Sequence, residues 1–352
     1  MADLVRLTDD LAGYFPPGSS VVYLDYPLHS NVGDLLIMLG TLAFFEKHAL
    51  PIRSTGTWTN TPKRGRLRIE SGDVIVLQGG GNFGDIYPEH LDLYERIAAE
   101  YPDHRLLIFP QSIHFGDTAR LALAVERLGQ HPDLTIFVRD HTSERTARDA
   151  FGDRVRLIPD MAHQLWPTFR NEVRGGARRG HAGDGPLLFM RRDAERVPVP
   201  APFLPYADAF VDWQSIVPTY MKVQNRSLGL VERLERAYGR TFGLSSAFFA
   251  AVRVEVRRIA RMLDRHDVWV TSRLHGVILG LLLDKSVFAL DNTYGKLSNY
   301  LGTWREFVAP VGIVRDDVDA AAVVEYCRGS GGIDSAASWE GYERVCASFS
   351  TL

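Results

Sequence analysis

The chain has 352 residues, of which 45% are hydrophobic and 24% are charged, and its formal net charge is -3. This composition is typical of a folded globular protein, and the nearly neutral charge excludes bulk nucleic-acid binding. A chain of this length exceeds the usual size of one hydrophobic core, so two domains are expected.

The sequence shows neither a targeting segment nor a membrane span. Residues 1–15 carry acidic side chains without a long apolar run, and no stretch of about 20 apolar residues occurs. The only cysteines are Cys327 and Cys346, too few for a disulfide framework or a metal site. We therefore expect a cytoplasmic protein with two plain thiols and no bound metal.

In the first half of the chain, short apolar runs alternate with helical patterns. Strands are predicted at residues 20–25, 73–77, 105–109, 134–138 and 155–158, and helices at residues 34–50, 89–100 and from about 142. Open α/β sheets bind ligands beyond the carboxyl ends of their strands. The segments that follow these strands are therefore candidate site segments.

The segment between the first strand and its helix contains Asn31, Gly33 and Asp34. One interpretation is structural: Ser30 or Asn31 caps the helix, and Asp34 complements its dipole. The other interpretation is that these side chains contact a ligand. The position at the end of a buried strand is compatible with both.

A run of three glycines follows the second strand, in the sequence Gln-Gly-Gly-Gly-Asn that ends at Asn82. Glycines such as Gly80 and Gly81 allow the backbone to approach a substrate closely or to make a tight crossing. The run has neither the spacing of a dinucleotide fingerprint nor the ending of a P-loop. Arg139, at the end of a later strand, is either paired with Asp140 or Glu144 or available for an anionic ligand.

Residues 171–186 are rich in glycine and are predicted to be an interdomain linker or flap. A new strand at 187–190 then leads to Arg191 and Arg192, one of which is expected to point into the cleft between the domains. A helix at 245–265 has one arginine-rich side, which is either solvated or attracted to a membrane surface or to the phosphates of an acceptor.

Residues 267–276 are predicted to be a buried strand that leads directly into a helix. Thr271 or Ser272 is the predicted N-cap, with Arg273 and His275 in the first helical turn. A cation and an imidazole beside unpaired backbone N–H groups favour a phosphate or carboxylate ligand. The loop at 291–296 is expected to face this helix terminus.

The alternation predicts an α/β protein with two Rossmann-like domains that face each other across a cleft. The predicted boundaries are residues 1–170 for the first domain, 171–186 for the linker and 187–315 for the second domain. Helices near 318–327 and 340–349 belong to a tail, residues 316–352. By analogy with other two-domain α/β enzymes, the tail is expected to pack back on the first domain.

Six segments, taken together and in order, resemble the polysaccharide pyruvyltransferases over roughly residues 20–300. They are Asn-Val-Gly-Asp34, Gln-Gly-Gly-Gly-Asn82, Val-Arg139-Asp, Arg191-Arg-Asp, Ser-Arg273-Leu-His275-Gly and Asp291-Asn-Thr-Tyr-Gly-Lys296. The resemblance implies a GT-B-like fold and transfer of a pyruvyl group from phosphoenolpyruvate onto two hydroxyls of a sugar as a cyclic ketal. It also implies a bacterial surface-polysaccharide pathway, in which the acceptor is carried on a lipid diphosphate at the inner membrane face.

The resemblance also assigns residues to the two substrates. Phosphoenolpyruvate carries two anions, which suit the clamps Arg139 and Arg273. Ser272 and Lys296 are placed with them on the donor side. The acceptor or cleft residues are Asn31, Gly80, Gly81, Asn82, Arg191, Arg192, Asn292 and Tyr294.

Ketal formation requires an acid and a base on different sides of the donor. Our hypothesis gives these roles to His275, beside the phosphate, and Asp34, across the cleft. No cofactor other than the co-substrate is expected, and contact with the inner membrane is peripheral. Two alternatives remain, a GT-B glycosyltransferase that uses a nucleotide sugar and a non-catalytic sugar-binding component of polysaccharide assembly.

Overall fold

The computed structural model of the chain describes residues 1–61, 67–174, 186–192, 196–217, 244–291, 295–308, 310–329 and 335–349. Within these ranges the protein is of the α/β class, with two sheets in which every strand pairing is parallel. We call residues 1–174 the first half and residues 186–349 the second half, and each half contains one sheet. The predicted fold class is therefore confirmed at the level of parallel α/β structure.

The first sheet has the strand order β2-β1-β3-β5-β6-β7, and β4 pairs with an extension of β5. The central strands are buried throughout, as their continuous apolar sequences predict. The strands are β1 Val21–Leu24, β2 Ile52–Gly56, β3 Val74–Leu77, β4 Gly80–Gly84, β5 Leu106–His114, β6 Leu134–Val138 and β7 Val155–Leu157.

The second sheet has the order β12-β11-β10-β8-β9. In both sheets the first strand in the chain lies between the second and the third, so the strand order reverses beside it. Ligands of open α/β sheets bind at such a reversal, beyond the carboxyl ends of the strands. The strands are β8 Leu187–Phe189, β9 Phe210–Val211, β10 Val268–Thr271, β11 Ser286–Leu290 and β12 Gly312–Val314.

Helices connect these strands and cover the sheets. In the first half they are α1 Ala2–Asp9, α2 Val32–Lys47, α3 Pro88–Glu100, α4 Thr118–Gly129, α5 His141–Phe151 and α6 Thr168–Arg174. In the second half they are α7 Trp213–Ile216, α8 Leu244–Leu263, α9 Leu274–Leu282, α10 Lys296–Trp304, α11 Asp317–Gly329 and α12 Ser335–Ser348.

One apolar cluster contains side chains from both halves. Helix α2 is buried on nearly all sides because it packs against α8 and against the 3-10 helix Met161–Leu165. The ring of Phe249 in α8 lies 6.4 Å from that of Tyr23 and 5.3 Å from that of Tyr26. This shared core explains why α2 is apolar all round its axis, as expected of a fully buried helix.

Some local predictions are wrong. The glycine run, for which no strand was predicted, leads into one, because Gly80–Gly84 forms β4 beside β5. The strand predicted at 105–109 continues to His114 because β4 supplies it with a further partner. The beginning of the predicted linker is helical, since α6 ends at Arg174, and its continuation at 175–185 lies outside the described residues.

The expectation that the C-terminal tail packs on the first domain is also wrong. Helices α11 and α12 contribute Val323 and Tyr342 to the apolar cluster of the second sheet, together with Phe288 of β11. The Tyr342 hydroxyl donates a hydrogen bond to the carbonyl oxygen of Val287, 2.8 Å away. The tail therefore covers the sheet that precedes it in the chain.

The arginine-rich side of α8 is partly an internal contact surface. Arg257 lies 2.5 Å from Glu172 of α6, and the Arg261 guanidinium donates to the carbonyl oxygens of Glu172 and Val173. These contacts hold α6 against α8. Among the helices in the described ranges, none is long and apolar enough to cross a membrane.

Candidate functional site

The N-terminus of α2 lies at the carboxyl end of β1, at the strand reversal of the first sheet. Asn31 is the N-cap, and its Oδ1 accepts a hydrogen bond from the Gly33 amide at 3.1 Å. The predicted capping by Ser30 or Asn31 is thus confirmed for Asn31. Asn31 Nδ2 donates to Asp34 Oδ2 at 2.7 Å, and His29 Nε2 lies 3.5 Å from the same oxygen. Asp34 is therefore oriented by two polar neighbours at the open end of the helix.

Gly33 is the point at which the two halves meet at this site. A Cβ atom at Gly33 would lie only 2.8 Å from His275 Nδ1 and 3.1 Å from its Cβ. Any larger residue would force the imidazole of the second half away from the α2 backbone. The structure therefore brings together two segments that are more than 240 residues apart, Asn-Val-Gly-Asp34 and Arg-Leu-His275-Gly.

Asp160 links His275 to Arg139. Its Oδ2 accepts from Arg139 Nη1 at 2.6 Å and lies 3.3 Å from His275 Nε2, and its Oδ1 accepts from the Ala162 amide at 2.9 Å. Asp160 is fully buried, and Arg139 is only 7% exposed. The sequence-based pairing of Arg139 with Asp140 or Glu144 is wrong, because the next strand end supplies the carboxylate.

The electrostatics of Asp160 reflect these contacts. Burial alone would raise the pKa of the Asp160 carboxyl, but His275, followed by Arg139, holds that pKa well below its ordinary value. Asp160 therefore remains an anion. A buried carboxylate that binds two cationic or imidazole groups fixes the orientation of both.

The last two glycines of the glycine run lie beside this cluster. A Cβ at Gly80 would be 4.0 Å from Asp34 Oδ1, and a Cβ at Gly81 would be 3.5 Å from Arg139 Nη2. Gly80 has a φ of 141°, a conformation that few residues other than glycine adopt. By contrast, Gly84 is required by a close backbone crossing, since its Cβ would overlap the His114 carbonyl oxygen. Gly79 of the run also crosses backbone closely, since its Cβ would lie 2.8 Å from the Pro110 carbonyl oxygen, so the tight crossing that the sequence left open is present.

The second half contains another buried arginine–aspartate pair. Arg273 Nη2 donates to Asp212 Oδ2 at 2.8 Å, and its Nε donates to Asp212 Oδ1. Asp212 is fully buried and also accepts from the backbone amides of Arg192 and Trp213. The N-cap of α9 is Arg273 itself, so the prediction of Thr271 or Ser272 is wrong.

The two hydroxyls are used at the strand ends instead. Thr271 Oγ1 donates to the Phe189 carbonyl oxygen and accepts from the Arg273 amide, while Ser272 Oγ accepts from the Arg191 amide at 2.9 Å. These bonds hold the end of β8 against the end of β10 at the strand reversal of the second sheet. They also place Arg191 beside Ser272, whereas Arg192 is exposed and donates to the Phe210 carbonyl oxygen.

The Asp291–Lys296 segment begins another helix. Asp291 accepts hydrogen bonds from the amides of Leu297 and Ser298, and Lys296 is exposed at the first position of α10. Asn292 and Tyr294 lie outside the described residues. Helix α10 crosses to the first half, where Tyr300 accepts from the Asp160 amide at 3.2 Å and lies 2.7 Å from His163 Nε2.

Sequence reasoning missed Asp160, Asp212 and Tyr300. Asp212 directly follows β9 and Asp160 is the third residue after β7. A position just beyond a strand is the signal that drew attention to Arg139. Tyr300 had no comparable signal. Among the described residues, no group of three or more His, Cys, Asp or Glu side chains is arranged to hold a metal ion.

The meeting point of the two halves contains a buried guanidinium group, an imidazole and a partly exposed carboxylate. A second buried guanidinium group, that of Arg273, lies two residues before His275 in the chain. Guanidinium groups bind carboxylates and phosphates with planar, paired hydrogen bonds. An imidazole and a carboxylate are the common groups for acid and base catalysis. The arrangement is therefore suited to binding a small anion and transferring protons beside it.

Comparisons with known proteins agree with this description. The family described as "Polysaccharide pyruvyl transferase" matches residues 31–294. "Putative pyruvyl transferase EpsO" of Bacillus subtilis (strain 168) is 34% identical over 317 residues, which are 90% of this chain and 94% of that protein. "Pyruvyl transferase 1" of Schizosaccharomyces pombe is 26% identical over 88% of this chain and 76% of that protein.

A crystal structure supports the fold. Protein KP1_0663 of Klebsiella pneumoniae superposes with a TM-score of 0.59 at 19% identity, covering 90% of this chain and 100% of that chain. The family match extends from Asn31 of the α2 cap to the loop after β11, and so includes the arginine, aspartate and histidine cluster described above. The chain therefore belongs to the polysaccharide pyruvyl transferase family.

Proposed function

We propose that the protein transfers a pyruvyl group from phosphoenolpyruvate to two hydroxyls of a sugar residue, forming a cyclic ketal during synthesis of a surface polysaccharide. The observation that carries this proposal is the contact chain from Gly33 through His275 and Asp160 to Arg139. It unites three of the segments that resemble the family in one place.

Arg139 and Arg273 are the proposed clamps for the carboxylate and phosphate of the donor. Asp160 and Asp212 hold the two guanidinium groups in fixed planes, which reduces the conformational entropy lost on binding. Ser272 assists by fixing the Arg191 backbone, and exposed Lys296 supplies a further cation at the start of α10. Asn31 and Gly80 lie on the Asp34 side, where the acceptor is proposed to bind.

His275 is the proposed acid for the departing phosphate, and Asp34 is the proposed base for the sugar hydroxyl. The donor methylene gains a proton, one hydroxyl attacks the resulting cationic carbon, and phosphate leaves. The second hydroxyl then attacks the same carbon to close the ketal. Each hydroxyl loses one proton, so a base is needed on the acceptor side and an acid on the phosphate side.

The larger setting is part of the same proposal. The two halves are Rossmann-like domains in a GT-B-like arrangement. The strand reversal beside the first strand of each sheet and the contact between the halves at Gly33 and His275 support this assignment. The protein acts in the cytoplasm without a cofactor beyond its co-substrate. Its acceptor is a lipid-linked oligosaccharide, which it reaches through peripheral contact with the inner membrane.

The test is incubation with phosphoenolpyruvate and a panel of aryl and lipid-linked sugars, with phosphate release and a pyruvyl mass increment as readouts. Asp34→Asn and His275→Gln are each expected to lower turnover about 100-fold or more. Asp3→Asn, which changes an exposed carboxylate paired with Arg6, is the matched control and should leave turnover unchanged. Near-normal turnover in both site variants would remove the proposed roles. Binding of a nucleotide sugar without binding of phosphoenolpyruvate would instead favour a glycosyltransferase.

A further inference from the structure

Two exposed aromatic side chains of the first half lie beside one histidine. Trp58 is 46% exposed and Tyr87 is 47% exposed. Their ring centroids lie 6.0 Å and 6.4 Å from that of His90, and the Tyr87 ring is nearly perpendicular to the imidazole. We call these three residues the aromatic patch. Grouped exposed aromatic rings are a common feature of binding surfaces.

The aromatic patch lies at the carboxyl edge of the first sheet, where the site lies. Trp58 follows β2, and Tyr87 follows β4 and precedes α3. Asp25, which directly follows β1, accepts from His90 Nδ1 with both carboxylate oxygens, at 2.8 and 2.9 Å. The patch is therefore attached to the same strand end that leads to Asp34.

The patch is held rigidly. The turn that carries Trp58 is closed by a hydrogen bond from the Thr61 amide to the Thr57 carbonyl oxygen at 2.9 Å. Arg96 of α3 donates to the Thr61 carbonyl oxygen at 3.1 Å, which ties this turn to the helix that carries His90. A preformed surface loses little conformational entropy when a ligand binds.

The same polar network reaches the glycine run. The Tyr94 hydroxyl donates to Asp25 Oδ2 at 2.9 Å and accepts from Gln111 Nε2 at 3.0 Å. Gln111 Oε1 accepts from the Asn82 amide at 3.2 Å. Asp25 has a positive φ of 64°, an uncommon conformation in which aspartate is enriched among the residues other than glycine. The aromatic patch and the Gly80–Asn82 segment thus share one support.

His90 contributes a hydrogen-bond donor between the two rings. Its Nδ1 is occupied by Asp25, and within the described part of the chain its Nε2 has no hydrogen-bond partner. Burial would lower the pKa of His90, but Asp25, with smaller contributions from Glu89 and Asp34, raises it above its ordinary value. Protonated His90 presents an Nε2–H group beside two aromatic faces.

A sugar ring has the complementary chemistry. One face of a pyranose exposes C–H groups that pack on aromatic rings, while its rim carries hydroxyl oxygens that accept hydrogen bonds. We propose that Trp58, Tyr87 and His90 form a subsite for one sugar ring of the acceptor, with the ring packed on the two aromatic side chains and a hydroxyl bound to His90 Nε2. This subsite rests on the pyruvyl transfer proposed above and assigns the surface that recognises its acceptor.

The position of the patch agrees with that role. Asp34 lies at the same sheet edge and follows Gly33, which contacts His275 of the proposed donor side. A saccharide on the patch would therefore lie at the sheet edge that also carries the proposed base. The ketalised residue is either the stacked ring itself or its neighbour in the acceptor chain.

The experiment measures sugar binding and donor binding separately. Saturation-transfer NMR of the full chain uses a panel of methyl glycosides, which lack an aromatic aglycone that would itself stack on the patch. Trp58→Ala and Tyr87→Ala are each expected to weaken glycoside binding by roughly tenfold, while Trp58→Phe retains part of it. The affinity for phosphoenolpyruvate, measured by calorimetry, should change less than about twofold, a small free-energy difference.

Val254→Ala is the matched control, because Val254 is a large exposed apolar residue on α8. It should leave glycoside binding unchanged. Retained binding in both alanine variants, or no binding of any methyl glycoside by the wild type in the presence of phosphoenolpyruvate, overturns the subsite. A third outcome separates the two proposals. If the alanine variants lose glycoside binding but the wild type binds no phosphoenolpyruvate, the subsite is upheld and pyruvyl transfer is rejected.

Discussion

The two buried arginine–aspartate pairs have similar composition but different surroundings. Arg139–Asp160 and Arg273–Asp212 each join an arginine just beyond one strand to a fully buried carboxylate beyond another. Among the described residues, Asp212 is bound by groups of its own half. Asp160 also contacts His275 of the other half, and its backbone amide donates to Tyr300. The first pair therefore depends on contact between the two halves, whereas the second pair depends on packing within one half.

This difference suggests how the site is built. The second pair fixes the start of α9 and therefore the position from which His275 extends. The first pair receives that imidazole and fixes its direction. A site assembled in this way depends on contacts between distant parts of the chain, and variants of the two pairs should separate local folding from assembly of the site.

The largest expected effect is that of Asp160→Asn. This change leaves the Arg139 charge buried without its anion, and loss of one partner of a buried ion pair typically costs about 3–5 kcal/mol. The free energy of unfolding is measured by urea titration, and turnover is measured in parallel. Asp212→Asn is the matched variant, with a stability loss of similar size. A loss below about 1 kcal/mol in Asp160→Asn would contradict the central position of Asp160, since exposed ion pairs lie in that range.

His163, next to this pair, predicts a pH dependence of stability. Burial lowers the pKa of His163 to about 4, whereas the unfolded chain titrates at about 6.5. The unfolded state therefore binds the proton more readily, and stability falls as the pH decreases from about 6.5 to 4, by about 3 kcal/mol in total. Unfolding titrations at several pH values test this. In His163→Gln the decrease in unfolding free energy over this pH range should be smaller by that amount. An equal decrease in the variant and the wild type would show that His163 does not cause it.

A smaller effect is expected at the contact between the halves. Gly33→Ala places a methyl group 2.8 Å from His275 Nδ1, and overpacking of this kind typically costs about 1–3 kcal/mol. Turnover should fall more than stability because the imidazole moves. Gly129→Ala is the control, since a Cβ at this glycine of α4 would meet nothing within 4 Å. Equal turnover in the two variants would show that the Gly33 contact does not position His275.

The smallest effect is a coupling energy. A double-mutant cycle of Asp160→Asn with His275→Gln should give an interaction of about 0.5–3 kcal/mol in unfolding free energy, because the two side chains are in contact. The corresponding cycle of Asp212→Asn with His275→Gln should be additive within about 0.5 kcal/mol. Similar coupling in both cycles would remove the distinction between the two pairs.

Local features of the sequence predicted local structure well. The cap at Asn31, the strand before Arg139 and the helix after His275 depend on side chains within a few residues, and each is present. Hydroxyl caps were misplaced at Thr271 and Ser272 because those hydroxyls bond to β8 and the segment after it, a tertiary contact that no local pattern reveals.

Partners across the fold were not predictable in the same way. Asp140 and Glu144 are nearer to Arg139 in sequence, but Asp140 caps α5 and Glu144 pairs with Arg148. The carboxylate that Arg139 contacts is that of Asp160, which lies beyond the end of the neighbouring strand β7. The role of the glycine-rich segment was ambiguous for a related reason. The strand β5, with which this segment pairs, extends beyond the apolar pattern of its own sequence, so the backbone crossing at Gly84 is visible only in the folded chain.

The pairing of both arginines with carboxylates determines how the site attracts its ligand. Each guanidinium–carboxylate pair sums to zero charge, so together they create little field at a distance. We therefore expect the proposed dianionic donor to gain little from long-range electrostatic steering. Recognition of an anionic ligand beside these pairs is accordingly expected to depend on shape and hydrogen-bond direction more than on net charge.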